Sequence, residues 1–406
     1  MAASLAWLLV ALAVASLYTA ARLHNARLSS RPTFDAWRGG GHSLRSVITL
    51  PARDDATWRA LRRLASEELA RHVARRAERG EPVEVGRHVF EAGVTGHRVA
   101  RDELPGGGVA EHRRNVRETT ELPMKGNVSD LFPAPTCRAC GGGWGSWWRS
   151  PTGASRSFSC GGWPDGKPAS RGGMNVVLDR EEEWRKETNP VLDRNTIKAL
   201  ITDLIVAGTD SSSTTVEWAM AELLQNPVSM QKVKEEFRRV LGTRTQIEES
   251  DISQLPYVHA VVKETLRLHP SIPMTFYKAD ATVEMQGYTI PKGTAIILNI
   301  WAIHRRPDVW PDPDRFLPER FMGTDISFFG KHPELLPFGG GRRICLGLPL
   351  AYRMIHMLLA TLLFHFDWKL PDGAEKDGID MSERLGIVLS MATPLKALAT
   401  KSSNYM

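Results

Sequence analysis

The chain reads as a mainly α protein with small β-sheets, an α+β arrangement in which helices dominate. Three observations predict it. Residues 195–270 carry three helical patterns in succession, each ended by a proline or glycine signal. Residues 281–303 switch to strand-like alternation. Residues 345–366 return to a long apolar helical run.

In order, "NTIKALITDLIVAGTDSSSTTVEWAMAELLQNP" is a long helix that Asn226-Pro227 must end, because a residue before proline is pushed out of the α region. "PVSMQKVKEEFRRVLG" is an amphipathic helix closed by Gly242, and "PYVHAVVKETLRLHP" is a third that stops before Pro270. "ATVEMQGYTIPKGTAIILNIWAI" reads as strands with a turn at Pro291-Lys292-Gly293. A proline-rich coil, "RRPDVWPDPDRFLPERF", follows. "CLGLPLAYRMIHMLLATLLFHF" is the final helix, and a strand pair around "LGIVLSMATPLKA" closes the chain.

The N-terminal half is less regular. "AASLAWLLVALAVASLYTAA", residues 2–21, has no charged side chain over a length that spans a bilayer core as a helix. Arg22, Arg27 and Arg31 follow it and no charged side chain precedes it, which places the remainder in the cytosol. A cleaved secretory signal is the rival reading. The missing basic n-region and the length of the run favour an uncleaved anchor. Residues 58–100 read as Arg-, Ala- and Leu-rich helices whose basic faces are solvated. Residues 135–173 mix Gly, Ser, Cys137, Cys140, Cys160, Trp144, Trp147, Trp148 and Trp163 without any period, so no structure is assigned there. A zinc site on those three cysteines lacks a fourth ligand nearby. The expected organisation is an anchor at 1–22, a linker and shortened N-terminal region at 23–57, a partial helical region at 58–134, the irregular or out-of-frame segment at 135–173 and a catalytic core at 174–406.

With 406 residues and 42% apolar content the chain can bury a large core. Its four cysteines are too few for a disulfide scaffold. The net charge of +6 suits an anionic membrane surface or an acidic protein partner. No aromatic-basic platform or zinc-finger spacing accompanies it, so no nucleic acid is expected as a partner.

Cys345 stands alone in patterned sequence, inside "ELLPFGGGRRICLGLPLA". A thiolate is a soft metal ligand, and a helix N-terminus lowers a thiol pKa. Gly341 and Gly347 let backbone approach something flat and large, Arg343 can pair with a carboxylate on it, and Phe338 can pack against it. Those are the needs of a haem with its two propionates. A buried structural cysteine and a phosphate loop are the plainer readings, and the loop fails G-x-G-x-x-G at Ile344.

Phe338, Gly341, Arg343, Cys345 and Gly347 meet F-x-x-G-x-R-x-C-x-G, which resembles the haem-thiolate signature of the cytochrome P-450 monooxygenases. Glu264 and Arg267 match that family's E-x-x-R, Pro318-Glu319-Arg320-Phe321 its P-E-R-F, and Ala207-Gly208-Thr209-Asp210 its A-G-x-D. Trp58 and Arg62 match its W-x-x-x-R. An E-x-x-R on a helix is by itself usually a surface pair worth about 0.3–0.5 kcal/mol; the ordered set is far more specific. The resemblance implies the P-450 fold, incomplete here, after an N-terminal transmembrane helix. It implies haem b with its iron on the Cys345 thiolate, and Trp58 and Arg62 at a propionate. It implies a buried structural triad of Glu264, Arg267 and Arg320. Gly208, Asp210 and Ser211 become catalytic: the glycine opens the helix for dioxygen, and the acid and hydroxyl relay protons. Trp218 is expected to pack and Glu217 to lie at the surface.

Ser211 stands where the family usually has threonine, and Tyr277 where a basic residue commonly meets the second propionate. The resemblance is to the plant branch that includes geraniol 8-hydroxylase. It implies a small apolar substrate such as a terpenoid or phenolic, NADPH-cytochrome P-450 reductase as electron donor, and a single-pass anchor in the endoplasmic reticulum membrane with the catalytic part in the cytosol. The alternative is a shortened, non-functional paralogue or a faulty gene model that anchors in membrane without binding haem productively. The regions short of the family pattern, 32–57 and 135–173, motivate it.

Overall fold

The computed structural model describes residues 56–96, 194–242, 244–371 and 378–402. Apart from 194–200, these belong to one unit made of 52–103 and 201–406. The expected anchor, the linker and the irregular segment lie outside the described residues.

Helix α1 (Ala56–Glu78) is built from Ala, Leu, Arg and Glu, all good helix formers, with Arg75 and Arg76 in its last turn facing the negative end of the dipole. A two-residue strand, β1 (Val83–Glu84), leads into α2 (Val85–Gly96). The apolar stripe of α2 (Val85, Val89, Ala92) is buried at helical spacing.

Helix α3 (Arg194–Gln225) ends where expected, at Asn226 with non-helical φ −117° and ψ 75° before Pro227. Val216, Trp218, Ala219, Met220, Ala221 and Leu223 are all buried, so this end of α3 is enclosed on every side. Helix α4 (Pro227–Leu241) starts on a proline and is closed by Gly242 at φ 57°. A short α5 (Glu249–Ile252) precedes α6 (Pro256–Leu268). No side chain of the preceding residue caps α6; instead the buried Glu236 carboxylate of α4 accepts from Tyr257 N at 2.8 Å and Val258 N at 3.0 Å. Two orphan amides of one helix are thus satisfied by its neighbour.

Strand β2 (Met274–Lys278) pairs antiparallel with β5 (Ala295–Asn299), Phe276 opposite Ile297. Between them β3 (Val283–Met285) and β4 (Tyr288–Ile290) form a hairpin whose turn, Gln286-Gly287, has φ 51° and 81°, the pair of positive angles that a two-residue turn needs. Helix α8 (Leu348–His365) carries the core residues Leu358, Leu359, Leu362 and Leu363, and is followed by β6 (Phe366–Lys369). It is long and apolar enough to cross a membrane, but two thirds of it (67%) is buried within the protein, as in a core helix. Strands β7 (Glu383–Arg384) and β8 (Ser390–Met391) pair with each other. Strand β9 (Lys396–Lys401) lies between β1 and β6, Val83 opposite Ala397 and Phe366 opposite Lys401, so the two ends of this unit share one sheet.

Three expectations are corrected. Ile300–Ile303 is a helical turn, α7, because Asn299 Oδ1 accepts from Ala302 N at 3.0 Å and caps it. The last helix begins at Leu348, not Cys345, with Pro349 in its first turn. The C-terminal pair is β7 with β8; β9 joins a different sheet.

His304, directly after α7, is fully buried. Its Nε2 accepts from Leu336 N at 2.8 Å, which leaves Nδ1 to donate to the Arg267 carbonyl at 3.2 Å. Burial holds its pKa at about 3, and burial holds that of His356 at about 3 as well. The unfolded chain takes up these protons near pH 6.5, the folded one only near 3. Stability is therefore full above about pH 6.5 and falls as the pH drops, by up to about tenfold in the unfolding constant per pH unit from each histidine. Thermal midpoints measured from about pH 7 down to about pH 4 should show this slope. His304→Asn should flatten it while lowering the neutral midpoint.

Candidate active site

The segment before α8 folds as a closed loop. Cys345 N donates to the Phe338 carbonyl at 2.9 Å, and Ile344 N to Gly341 at 3.3 Å. Gly339 and Gly341 have φ of 70° and 64°, backbone that glycine adopts without penalty. The Tyr277 hydroxyl of β2 lies 3.4 Å from where a Cβ on Gly339 would be, so this strand is seated against the loop. Phe338 is half-buried and packs on Phe328, ring centres 5.4 Å apart. Arg343 and Cys345 are exposed. Desolvation on its protein side pushes the Cys345 thiol up; the Gly347 and Leu348 amides pull it back without prevailing. The expected lowering by the helix N-terminus is thus outweighed, because α8 starts three residues later.

The loop rests on a buried charge network. Arg267 donates through Nε and Nη2 to Glu264 at 2.7 and 2.9 Å, and Arg320 Nε reaches Glu264 Oε1 at 3.0 Å. Glu264 and Arg267 have no exposed surface. The network binds backbone as well: Leu317 N donates to Glu264, and Arg267 Nη1 to the carbonyls of His304 and Pro313 at 2.8 and 2.7 Å. Both guanidiniums also lie over the Trp310 ring, at 5.5 and 6.0 Å. His304 then passes this order to Leu336, two residues before Phe338. Neither His304 nor Trp310 was legible as a support, since nothing local in the sequence marks either.

On α3, Ala207 is exposed, Thr209 is buried, and Gly208, Asp210 and Ser211 are half-buried. The helix runs through Gly208 without a break. Ser211 Oγ donates to the Ala207 carbonyl at 2.7 Å, and Ser271 Oγ donates to the Ser211 carbonyl at 3.3 Å. Ser271 introduces β2, whose Tyr277 touches the cysteine loop. The six-residue step from Ser271 to Tyr277, roughly 20 Å at most, therefore ties the α3 motif to the Cys345 loop. On the β2–β5 ribbon Phe276 and Ile297 stand side by side, 65% and 59% exposed.

Two residues have partners that the sequence did not suggest. Arg62 is buried and holds both carboxylate oxygens of Glu249 through Nε and Nη2, at 2.7 and 2.8 Å. Trp58 lies in the first turn of α1. Glu217, expected at the surface, is buried: it accepts from Leu395 N at 3.0 Å, and a Cβ at Gly86 would sit 2.3 Å from its carboxylate. Trp218 is core, as expected, donating to the Leu389 carbonyl at 3.1 Å and stacking on His269 at 3.9 Å. Among the described residues no cluster of three His, Cys, Asp or Glu side chains suits a metal ion. Cys137, Cys140 and Cys160 lie outside them.

An exposed thiol flanked by two backbone donors, in a glycine loop that carries an exposed arginine, suits a flat metal-bearing cofactor with acidic edges. The cytochrome P450 family model matches residues 164–397, and the chain belongs to that family. Plant proteins are among its relatives. It is 37% identical to cytochrome P450 76C4 of Arabidopsis thaliana, over 94% of this chain and 80% of that protein. It is 51% identical to cytochrome P450 76T24 of Catharanthus roseus over 51% of this chain, and 46% identical to the geraniol 8-hydroxylase of Catharanthus roseus over 56% of it. Those matches span 42% and 47% of the two relatives, so the chain covers less than half of either.

Proposed function

We propose that the chain is a haem-thiolate monooxygenase, anchored in the endoplasmic reticulum membrane, that inserts one atom of dioxygen into a small terpenoid. The observation that carries this is the exposed Cys345 thiol in its glycine loop, held by the Glu264–Arg267–Arg320 network. A bound haem supplies dioxygen binding and one-electron chemistry there, with electrons drawn from an NADPH-dependent reductase. Cys345 would be the iron ligand. The Gly347 and Leu348 amides donate to its sulfur and moderate its basicity. Arg343 would pair with a propionate, Gly341 would leave backbone room for the cofactor, and Phe338 would pack against it. Trp58 and Arg62 would hold the other edge, Arg62 with its remaining nitrogen, since Glu249 occupies two. Phe276 and Ile297 give an apolar substrate a wall and exclude water.

Ser211 and Asp210 move protons. The Ser211 hydroxyl is spent as a donor on Ala207, so its lone pairs are what a water can donate to. The terpenoid reading rests on the geraniol 8-hydroxylase relative. Its test is incubation of the full chain with a reductase, NADPH, dioxygen and a panel of terpenoid alcohols and phenolics. Oxygenated terpenoids that need all components support it; NADPH use without product from any substrate overturns it.

Serine's χ1 is freer than threonine's, so the proton path should be looser than with threonine. Ser211→Thr is expected to raise the fraction of consumed NADPH recovered as product, Ser211→Ala to lower it, and Asp210→Asn to slow turnover. NADPH, product and peroxide counted in one reaction decide this. Equal coupling in all three returns Asp210 to a solvated helix position.

A further inference from the structure

A cavity of about 350 Å³ opens between the first turns of α6, the 3₁₀ turn Pro318–Phe321 with the segment after it, and Tyr352 of α8. It is of the size that small-molecule sites have. Its walls are aromatic. Phe328 and Phe329 lie 5.6 Å apart, and Tyr352 stands 5.7 and 6.1 Å from them. Phe329 is 51% exposed, an unusual state for a ring with two aromatic neighbours. Into the same hollow projects Lys263. Among the described residues its ammonium has the Phe321 ring at 5.8 Å and no hydrogen-bond acceptor or ion-pair partner. Desolvation lowers its pKa, with Asp325 acting from a distance in the opposite sense. The neighbouring His259 is not a second cation: burial lowers its pKa, and its Nε2 donates to the Ile252 carbonyl at 2.9 Å.

A half-buried ammonium without an acceptor is costly, and an anion repairs it. We infer that this hollow binds a small aromatic anion, a carboxylate or sulfonate on a one- or two-ring body, with the acid group on Lys263 and the ring among Phe328, Phe329 and Tyr352. Neutral apolar molecules gain the rings but not the charge, and inorganic anions the charge but not the rings. The hollow borders the Cys345 loop through Phe328, which packs on Phe338, but Lys263 and the ring wall are not residues of that loop.

The test is calorimetric titration of the full, haem-loaded chain with naphthalene carboxylate and with its uncharged amide. A haem-ligating azole is present at saturation to block the substrate side of the iron. The carboxylate should bind at least about tenfold more tightly than the amide. Lys263→Met should erase the difference, and Lys263→Arg should keep it. Phe329→Ala, at a half-exposed ring outside α6, should weaken both probes alike. No binding of the carboxylate by the parent, a preference that survives Lys263→Met, or binding that the azole abolishes would each overturn the site.

Discussion

Arg267→Ala is expected to yield no soluble, haem-loaded protein. The side chain has no exposed surface and binds both Glu264 oxygens and the carbonyls of His304, Pro313 and Arg315, of which Arg320 shares Glu264 and the Arg315 carbonyl. Breaking a buried ion pair by removing one member costs roughly 3–5 kcal/mol, because the partner charge is stranded. Each carbonyl left without a donor adds about 1–3 kcal/mol. The total approaches the 5–15 kcal/mol or so that holds a typical domain together. Arg267→Lys should fare little better, since an ammonium cannot serve as a planar fork to Glu264 while reaching the carbonyls on its other side. Glu264→Ala should fail in the same way, leaving Arg267 and Arg320 facing each other. The measurements are soluble yield, haem per protein and thermal midpoint. A variant with full haem content, an unchanged midpoint and only a slower turnover would show that the network carries no structural load.

The parts of this fold that could be read from the sequence are those whose cause is local. Helices α3, α4 and α6 announce themselves by their apolar spacing, and their ends by Asn226-Pro227, Gly242 and Pro270, residues whose own backbone limits forbid continuation. The misread elements are those decided by partners. Ile-Trp-Ala-Ile continues an apolar run and looks like strand, yet one side-chain bond from Asn299 turns it into a helix. Strands of two residues, β1, β7 and β8, are shorter than any period and exist because a partner strand pairs with them. Ionisable residues were the least legible. Glu217 is buried because Leu395, 178 residues away, needs an acceptor. Arg62 is spent on Glu249, 187 residues away. The Glu264–Arg267 pair is the exception: its two members share a helix three residues apart, and a motif rather than a pattern pointed to it.

Cys345→Ala and Cys345→Ser should do the reverse of the Arg267 variants: keep the fold and lose the chemistry. The residue is exposed, and the bonds that shape its loop are made by backbone, Cys345 N to Phe338 and Leu348 N to the Cys345 carbonyl, neither of which needs sulfur. Truncating an exposed thiol removes little buried surface, so the thermal midpoint of the haem-free protein should hardly move. In the proposed function the sulfur would supply electron density to iron, and neither a methyl nor a neutral hydroxyl can replace it. The reduced, carbon-monoxide-bound spectrum of a thiolate-ligated haem should therefore be present in the parent and absent in both variants, and product formation should fall below detection. Comparison with Arg267→Ala separates the two causes of inactivity, since one variant loses the spectrum with the fold intact and the other loses both. A thiolate-type spectrum that persists in Cys345→Ala would assign the ligand to another cysteine and remove the Cys345 loop from the centre of the mechanism.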